Sequence, residues 1–200
     1  ALGTRKNTLV TLLAALAMGC ASSSATPDDN AEDGTVGEED GDFEVGEDNL
    51  VDNFEDNDNG IETLDGRTGS WYAFGDEDPA GKIEPDPDNF TPSAGGANGT
   101  KYAATIKATG HNIWGAGLSA DLNFDGSEDA GALKGTYDAS KHEGIAFYAK
   151  GAAFRFSLKT TAVIAVENGG SCVPGPDDTK IETLCDNGHG VSIAASSEWK

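Results

Sequence analysis

Positive charge is what this chain has least of. Thirteen Lys and Arg stand against 35 Asp and Glu in 200 residues, a formal net charge of −22. Phosphate binding needs clustered cations, so nucleic acid is excluded as a partner, and direct adhesion to anionic lipid is disfavoured for the same reason. Long hydrophobic runs are missing too. The apolar stretch at residues 9–18 is ten residues long, and a bilayer-crossing helix needs ~20. No window carries the 3.6-residue periodicity of an amphipathic helix, and 27 glycines favour turns over helices. Catalytic patterns are likewise absent. There is no Gly-x-Ser-x-Gly, and His111, His142 and His189 lie among glycines or charges rather than in a triad. Residues 95–101 have the glycines of a phosphate loop but the wrong order of Lys and Thr. Carboxylates are so abundant that a glycosidase pair cannot be singled out. The expectation is a protein that is not an enzyme.

What is present begins with a leader. Arg5 and Lys6 precede the uncharged run at 9–18, and Gly19 and Cys20 follow it. A short positive segment, an apolar segment and a small-residue exit make a secretory signal. Ala17-Met18-Gly19-Cys20 resembles the bacterial lipobox, with Ala17 where Leu is usual. The resemblance implies that residues 1–19 are a signal peptide and that Cys20 is lipidated and becomes the N-terminus. Two acyl chains on one residue anchor stably, since each buried CH₂ contributes ~0.8 kcal/mol. Ala21 is not Asp, which by similarity to enteric sorting implies delivery to the outer membrane, on its periplasmic or cell-surface side.

Residues 20–49 form an acidic linker. From 28 to 58 there are fifteen acidic residues and no basic one. Such a segment cannot bury enough apolar surface to offset its ordering entropy, so a disordered, self-repelling tether is expected. The two remaining cysteines, Cys172 and Cys185, are thirteen residues apart. Their spacing does not suit zinc, and an exported chain meets an oxidising compartment, so a disulfide is expected.

Residues 50–200 read as one all-β domain. Short runs at 49–54, 70–74, 101–109, 114–123, 144–149, 154–160, 163–167 and 191–194 are separated by Gly, Asp, Asn and Pro. In 144–150, Ile145, Phe147 and Ala149 alternate with Ala146, Tyr148 and Lys150; in 154–160, Phe154, Phe156 and Leu158 alternate with Arg155, Ser157 and Lys159. Turn-punctuated strands of this kind indicate a β-sandwich. Residues 76–98, rich in Pro and Gly, read as a long surface loop.

Leu50-Val51-Asp52-Asn53-Phe54-Glu55-Asp56-Asn57-Asp58 is similar to the opening of galactose-binding-like jelly rolls, a group that includes carbohydrate-binding module family 11. Gly66 to Asp76, Trp114 to Leu118, Tyr137 to Ser140 and Gly144 to Gly151 follow in the order that group shows. Together they resemble Gram-negative lipoproteins carrying such a domain. The resemblance implies a jelly-roll β-sandwich, incomplete at its C-terminus because relatives continue past Glu198-Trp199-Lys200. It implies a non-catalytic glycan-binding role, with a structural or protein-interaction lipoprotein as the alternative. It also implies a structural calcium ion, for which Asp52, Glu55, Asp56 and Asp138 are the candidate ligands, though the same acids equally make an ordinary solvated strand end. Asp121 to Gly126 begins like a calcium loop but has Ala132 at the twelfth position. Trp71 and Trp114 are expected in the core, as large aromatics usually are. Strand alternation then turns Tyr72, Tyr148 and Arg155 away from it, and these three are the expected ligand surface.

Overall fold

A computed structural model describes residues 10–12, 49–124, 135–142, 144–173, 185 and 188–200. Cys20 and most of the acidic linker lie outside these residues. The described chain is all-β. Its strands, in order, are β1 (Val10–Leu12), β2 (Leu50–Asp52), β3 (Trp71–Gly75), β4 (Lys82–Glu84), β5 (Ser93–Ala94), β6 (Tyr102–Ala103), β7 (Lys107–Thr109), β8 (Ala116–Ala120), β9 (Ile145–Phe147), β10 (Phe154–Leu158) and β11 (His189–Ile193). The longest ladders are antiparallel, β3 with β8 and β10 with β11; β4 pairs with β7, and β5 with β6. A three-stranded sheet runs β2-β1-β9, and both of its pairings are parallel. Three residues of the apolar run expected in the leader thus lie as a strand between β2 and β9.

One core organises the domain. Val51, Phe54, Ile61, Trp71, Ala73, Phe90, Ala104 and Ile106 are buried together. Alternation on β3 explains half of this: Trp71 and Ala73 face inward while Tyr72 and Phe74 face outward. The Phe54 and Trp71 rings pack at 5.3 Å. Asp52 locks the corner where β2 ends. Its Oδ2 accepts the Trp71 indole N–H at 2.7 Å, and its Oδ1 accepts the Phe54 backbone N–H at 2.7 Å. Phe54 adopts φ 60°, a left-handed conformation rare for a bulky residue. Burying its ring completely and pinning its N–H offset that strain.

Three expectations need correction. Residues 163–167 are not a strand. The chain there makes a 3₁₀ turn at Val166–Asn168, closed by Gly169 at φ 87°. It folds back so tightly that a Cβ at Gly170 would lie 1.9 Å from the Ile164 carbonyl oxygen. Residues 76–98 are not merely a surface loop: they contribute β4, β5, a 3₁₀ turn at Pro87–Asn89 and the buried Phe90 and Ala97. The run at 101–109 is two short strands, β6 and β7, rather than one. The disulfide is present, Cys172 to Cys185 with Cα atoms 5.8 Å apart.

Candidate functional site

The outward face of the β3–β8 ladder carries a row of aromatic rings. Tyr72 and Phe74 are two residues apart on β3, so both leave the sheet on the side opposite Trp71. Their rings lie 6.3 Å apart, and Phe74 stacks on Trp114 at 6.1 Å with planes 27° apart. Trp114 is 63% exposed and Phe74 37%. Gly117 stands opposite Phe74 in the ladder, and a Cβ there would lie 2.6 Å from Phe74 Cζ. The glycine lets the ring lie flat across the neighbouring strand. Polar groups border the row. Ser119 stands opposite Tyr72, and the Tyr72 hydroxyl approaches Asp121 Oδ1 at 3.5 Å.

Trp114 is exposed because its loop is held from beneath. The buried Asp76 carboxylate accepts the backbone N–H groups of Ile113, Trp114 and Gly115 at Oδ2, each at 2.9 Å. Its Oδ1 lies 2.8 Å from His111 Nδ1. Burial alone would raise its pKa; the Gly115 N–H, the His111 ring and the Trp114 and Ile113 N–H groups outweigh that and hold it well below the usual carboxylate range. Gly75 and Gly81 make room for the His111 ring, since a Cβ at either would lie 2.5 Å from its Cε1.

A second cluster lies beyond the far end of β8. Asp65 and Gly66, at φ 57° and 74°, form the tight turn that Asp-Gly favours, with Arg67 N–H returning to the Leu64 carbonyl at 3.0 Å. The turn presents the Asp65 carboxylate to the segment at 135–142. Tyr137 donates its hydroxyl proton to Asp65 Oδ2 at 2.6 Å, and Lys141 bonds Asp65 Oδ1. These two donors, Lys141 first, bring the Asp65 pKa down to about 2. With its proton committed, the Tyr137 oxygen accepts from His142 Nε2 at 2.7 Å, which places the proton of a neutral His142 ring on Nε2. Arg67 is buried, donates from Nη2 to the Leu50 carbonyl at 2.6 Å, and lies 5.6 Å from the Tyr137 ring centre. Beside this network is an open cleft of about 270 Å³, lined by polar side chains that include Asp65, Asn123, Tyr137, Asp138, Ser140 and Lys141.

No family model, curated protein or solved structure matches the chain.

The residues expected at the ligand surface do not share one ladder. Tyr72 is on β3, Arg155 on β10, and Tyr148 follows β9. Arg155 is exposed and donates to the Gly188 carbonyl at 2.8 Å. Trp71 is in the core as expected, but Trp114 is not. Of the expected calcium ligands, Asp52 is buried against Trp71, Glu55 pairs with Lys101 at 3.5 Å, and Asp56 is exposed. Asp138 lines the cleft and accepts the Ser140 N–H. Among the described residues, no three His, Cys, Asp or Glu side chains are grouped so as to hold a metal ion.

Sequence reasoning missed Phe74 and placed Trp114 in the core. The signal for Phe74 was its period-2 spacing from Tyr72. The Asp65 cluster had one signal, the Asp-Gly turn. Its assembly with residues 70 positions away was not legible.

Proposed function

We propose that this is a membrane-anchored lipoprotein whose domain, a β-sandwich of jelly-roll type, binds carbohydrate without catalysis. The observation that carries the reading is the Tyr72–Phe74–Trp114 row. A row of rings on a sheet face, Tyr72 inclined at 52° to Phe74 and Phe74 stacked on Trp114, bordered by a hydroxyl and a carboxylate, suits the apolar C–H faces and outward hydroxyls of a pyranose chain. The excess of acidic residues selects neutral glycans over polyanionic ones. The segment at 4–20 supports the anchor, and the likeness of residues 50–200 to galactose-binding-like domains supports the role. Processing before Cys20 removes Val10–Leu12, so in the mature protein β2 and β9 lose the partner that lies between them.

A panel of neutral and acidic polysaccharides, screened by affinity electrophoresis, tests the binding. Retardation by at least one neutral glycan, lost in Trp114→Ala, is expected; no retardation by any glycan refutes it. Detergent partition of the precursor and of Cys20→Ser tests the anchor, and identical partition refutes it.

The alternative, a lipoprotein that engages a protein, draws on one feature. Ile113 is 67% exposed beside Trp114, and an aliphatic side chain at that place serves a protein partner better than a sugar.

A further inference from the structure

We propose that the cleft walled by Asp65, Asn123, Tyr137 and Lys141 is a second sugar subsite, which takes the hydroxyls of the terminal residue of a neutral glycan lying along the aromatic row. The inference rests on the glycan-binding reading and adds to it a direction and an end.

The register of the β3–β8 ladder joins the two places. Gly117 faces Phe74, Ser119 faces Tyr72, and Asp121 donates its N–H to the Ser70 carbonyl. Residues 117, 119 and 121 therefore leave the outward side in sequence, and Tyr72 reaches Asp121 along that side. Two residues further on is Asn123, which bridges to Thr68 and lines the cleft. β8 ends at Ala120, and the chain bends at Leu122 before Asn123 makes its parallel bridge, so the four residues from Ser119 to Asn123 span at most roughly 13 Å. The row and the cleft are thus successive stations on one strand and its continuation, aromatic at the Trp114 end and polar at the Asp65 end.

The chemistry of the wall selects the ligand. Asp65 is held ionised by Lys141 and Tyr137, and its two oxygens carry about four lone-pair sites, more than those two bonds use. Lys141 has three N–H donors, of which Asp65 takes one. Asn123 spends an N–H on the Thr136 carbonyl at 2.7 Å and keeps its side-chain oxygen as an acceptor. Donors and acceptors therefore alternate along the wall. An anion would meet Asp65 and Asp138, and a cation would meet Lys141. A neutral ligand with adjacent hydroxyls, each both donor and acceptor, suits such a wall. The Arg67, Tyr137 and His142 network fixes the wall from behind, so little reorganisation is required on binding. His142 is almost fully buried, and its Nδ1 has no hydrogen-bond partner. That closed rear layer leaves Asp65 and Lys141 as the groups presented to solvent.

The test uses the full chain and two kinds of probe, the methyl pyranosides of glucose, galactose and mannose and linear neutral tetrasaccharides of the same sugars, followed by amide NMR titration. Lys141 is mostly exposed, so Lys141→Met is expected to fold, and Asn123→Ala serves as a second variant. The expected result is that a methyl pyranoside shifts the amides of residues 135–142, that both cleft variants weaken that binding at least tenfold, and that both cleft variants and Trp114→Ala weaken the tetrasaccharide. If a tetrasaccharide binds and both cleft variants leave its Kd within twofold, the cleft inference is overturned and the aromatic row stands. If the cleft variants abolish binding and Trp114→Ala does not touch the tetrasaccharide, the cleft stands and the row is overturned. If no neutral sugar binds, both are.

Discussion

Asp52 should make this domain less stable as pH rises from about 4 to 7, opposite to the usual behaviour of a hydrogen-bonded carboxylate. The residue is 2% exposed. Burial pushes its pKa from 3.8 to about 7; the bonds from Phe54 and Trp71 pull the other way without prevailing, and Asp56 and Glu62 add to the rise. A raised folded-state pKa means that the folded protein holds a proton that the unfolded chain has released. The stabilisation is complete below about pH 4 and is lost as pH climbs through the folded value. Three units at 1.36 kcal/mol each give about 4 kcal/mol as an upper bound. Below pH 4 the sign reverses, because Asp65, Asp76, Asp78 and Asp138 are all held below their ordinary values and lose their bonds on protonation. Stability should therefore peak near pH 4–5. Urea unfolding at pH 4, 5.5, 7 and 8 measures this, on the native chain and on Asp52→Asn. Asparagine keeps the shape and one accepting oxygen but cannot ionise. The variant should start less stable and stay flat where the native chain declines. Equal slopes in the two proteins would refute the assignment, because repulsion among the other acids would then account for the whole decline.

Phe54→Ala empties a fully buried site at the centre of the core and should cost about 3–5 kcal/mol in the same assay, with an unchanged m-value; a loss under 1 kcal/mol would mean that the core is not organised around this ring. Opening the Cys172–Cys185 bridge by Cys172→Ser with Cys185→Ser should cost ~3 kcal/mol in the chain-entropy account, and an unchanged urea midpoint would contradict it. If a calcium ion binds the folded domain, through any of the candidates Asp52, Glu55, Asp56 and Asp138, added calcium raises Tm and excess chelator lowers it. A melt unchanged by both removes the ion from the account.

The β character of the domain was legible because alternation and turn residues are local signals. Trp71 against Tyr72, and Phe154 against Arg155, could be assigned to opposite faces from spacing alone. The misreadings share a physical cause. Val163 to Val166 looks like a strand by composition, but the glycines at 169 and 170 allow a close backbone approach that turns the chain back on itself. Phe90 lies in a polar, Pro-rich segment whose composition hides the large aromatic that the core takes from it. Trp114 looked like core by residue type, and its exposure depends on Asp76, 38 positions earlier, capturing three consecutive N–H groups. Arg67 and Tyr137 meet only through tertiary folding. Contacts of that range have no signature in a single sequence, so the candidate site was far less legible than the strands that carry it.

The central claim is that the row of rings on β3 and its neighbouring loop is a glycan-binding surface. Isothermal titration of the best neutral oligosaccharide tests it, comparing the native chain with Phe74→Ala and Trp114→Ala, each first shown to keep the native unfolding midpoint. The account predicts at least a tenfold loss of affinity in each variant. Unchanged affinity in both, with the fold intact, would contradict it.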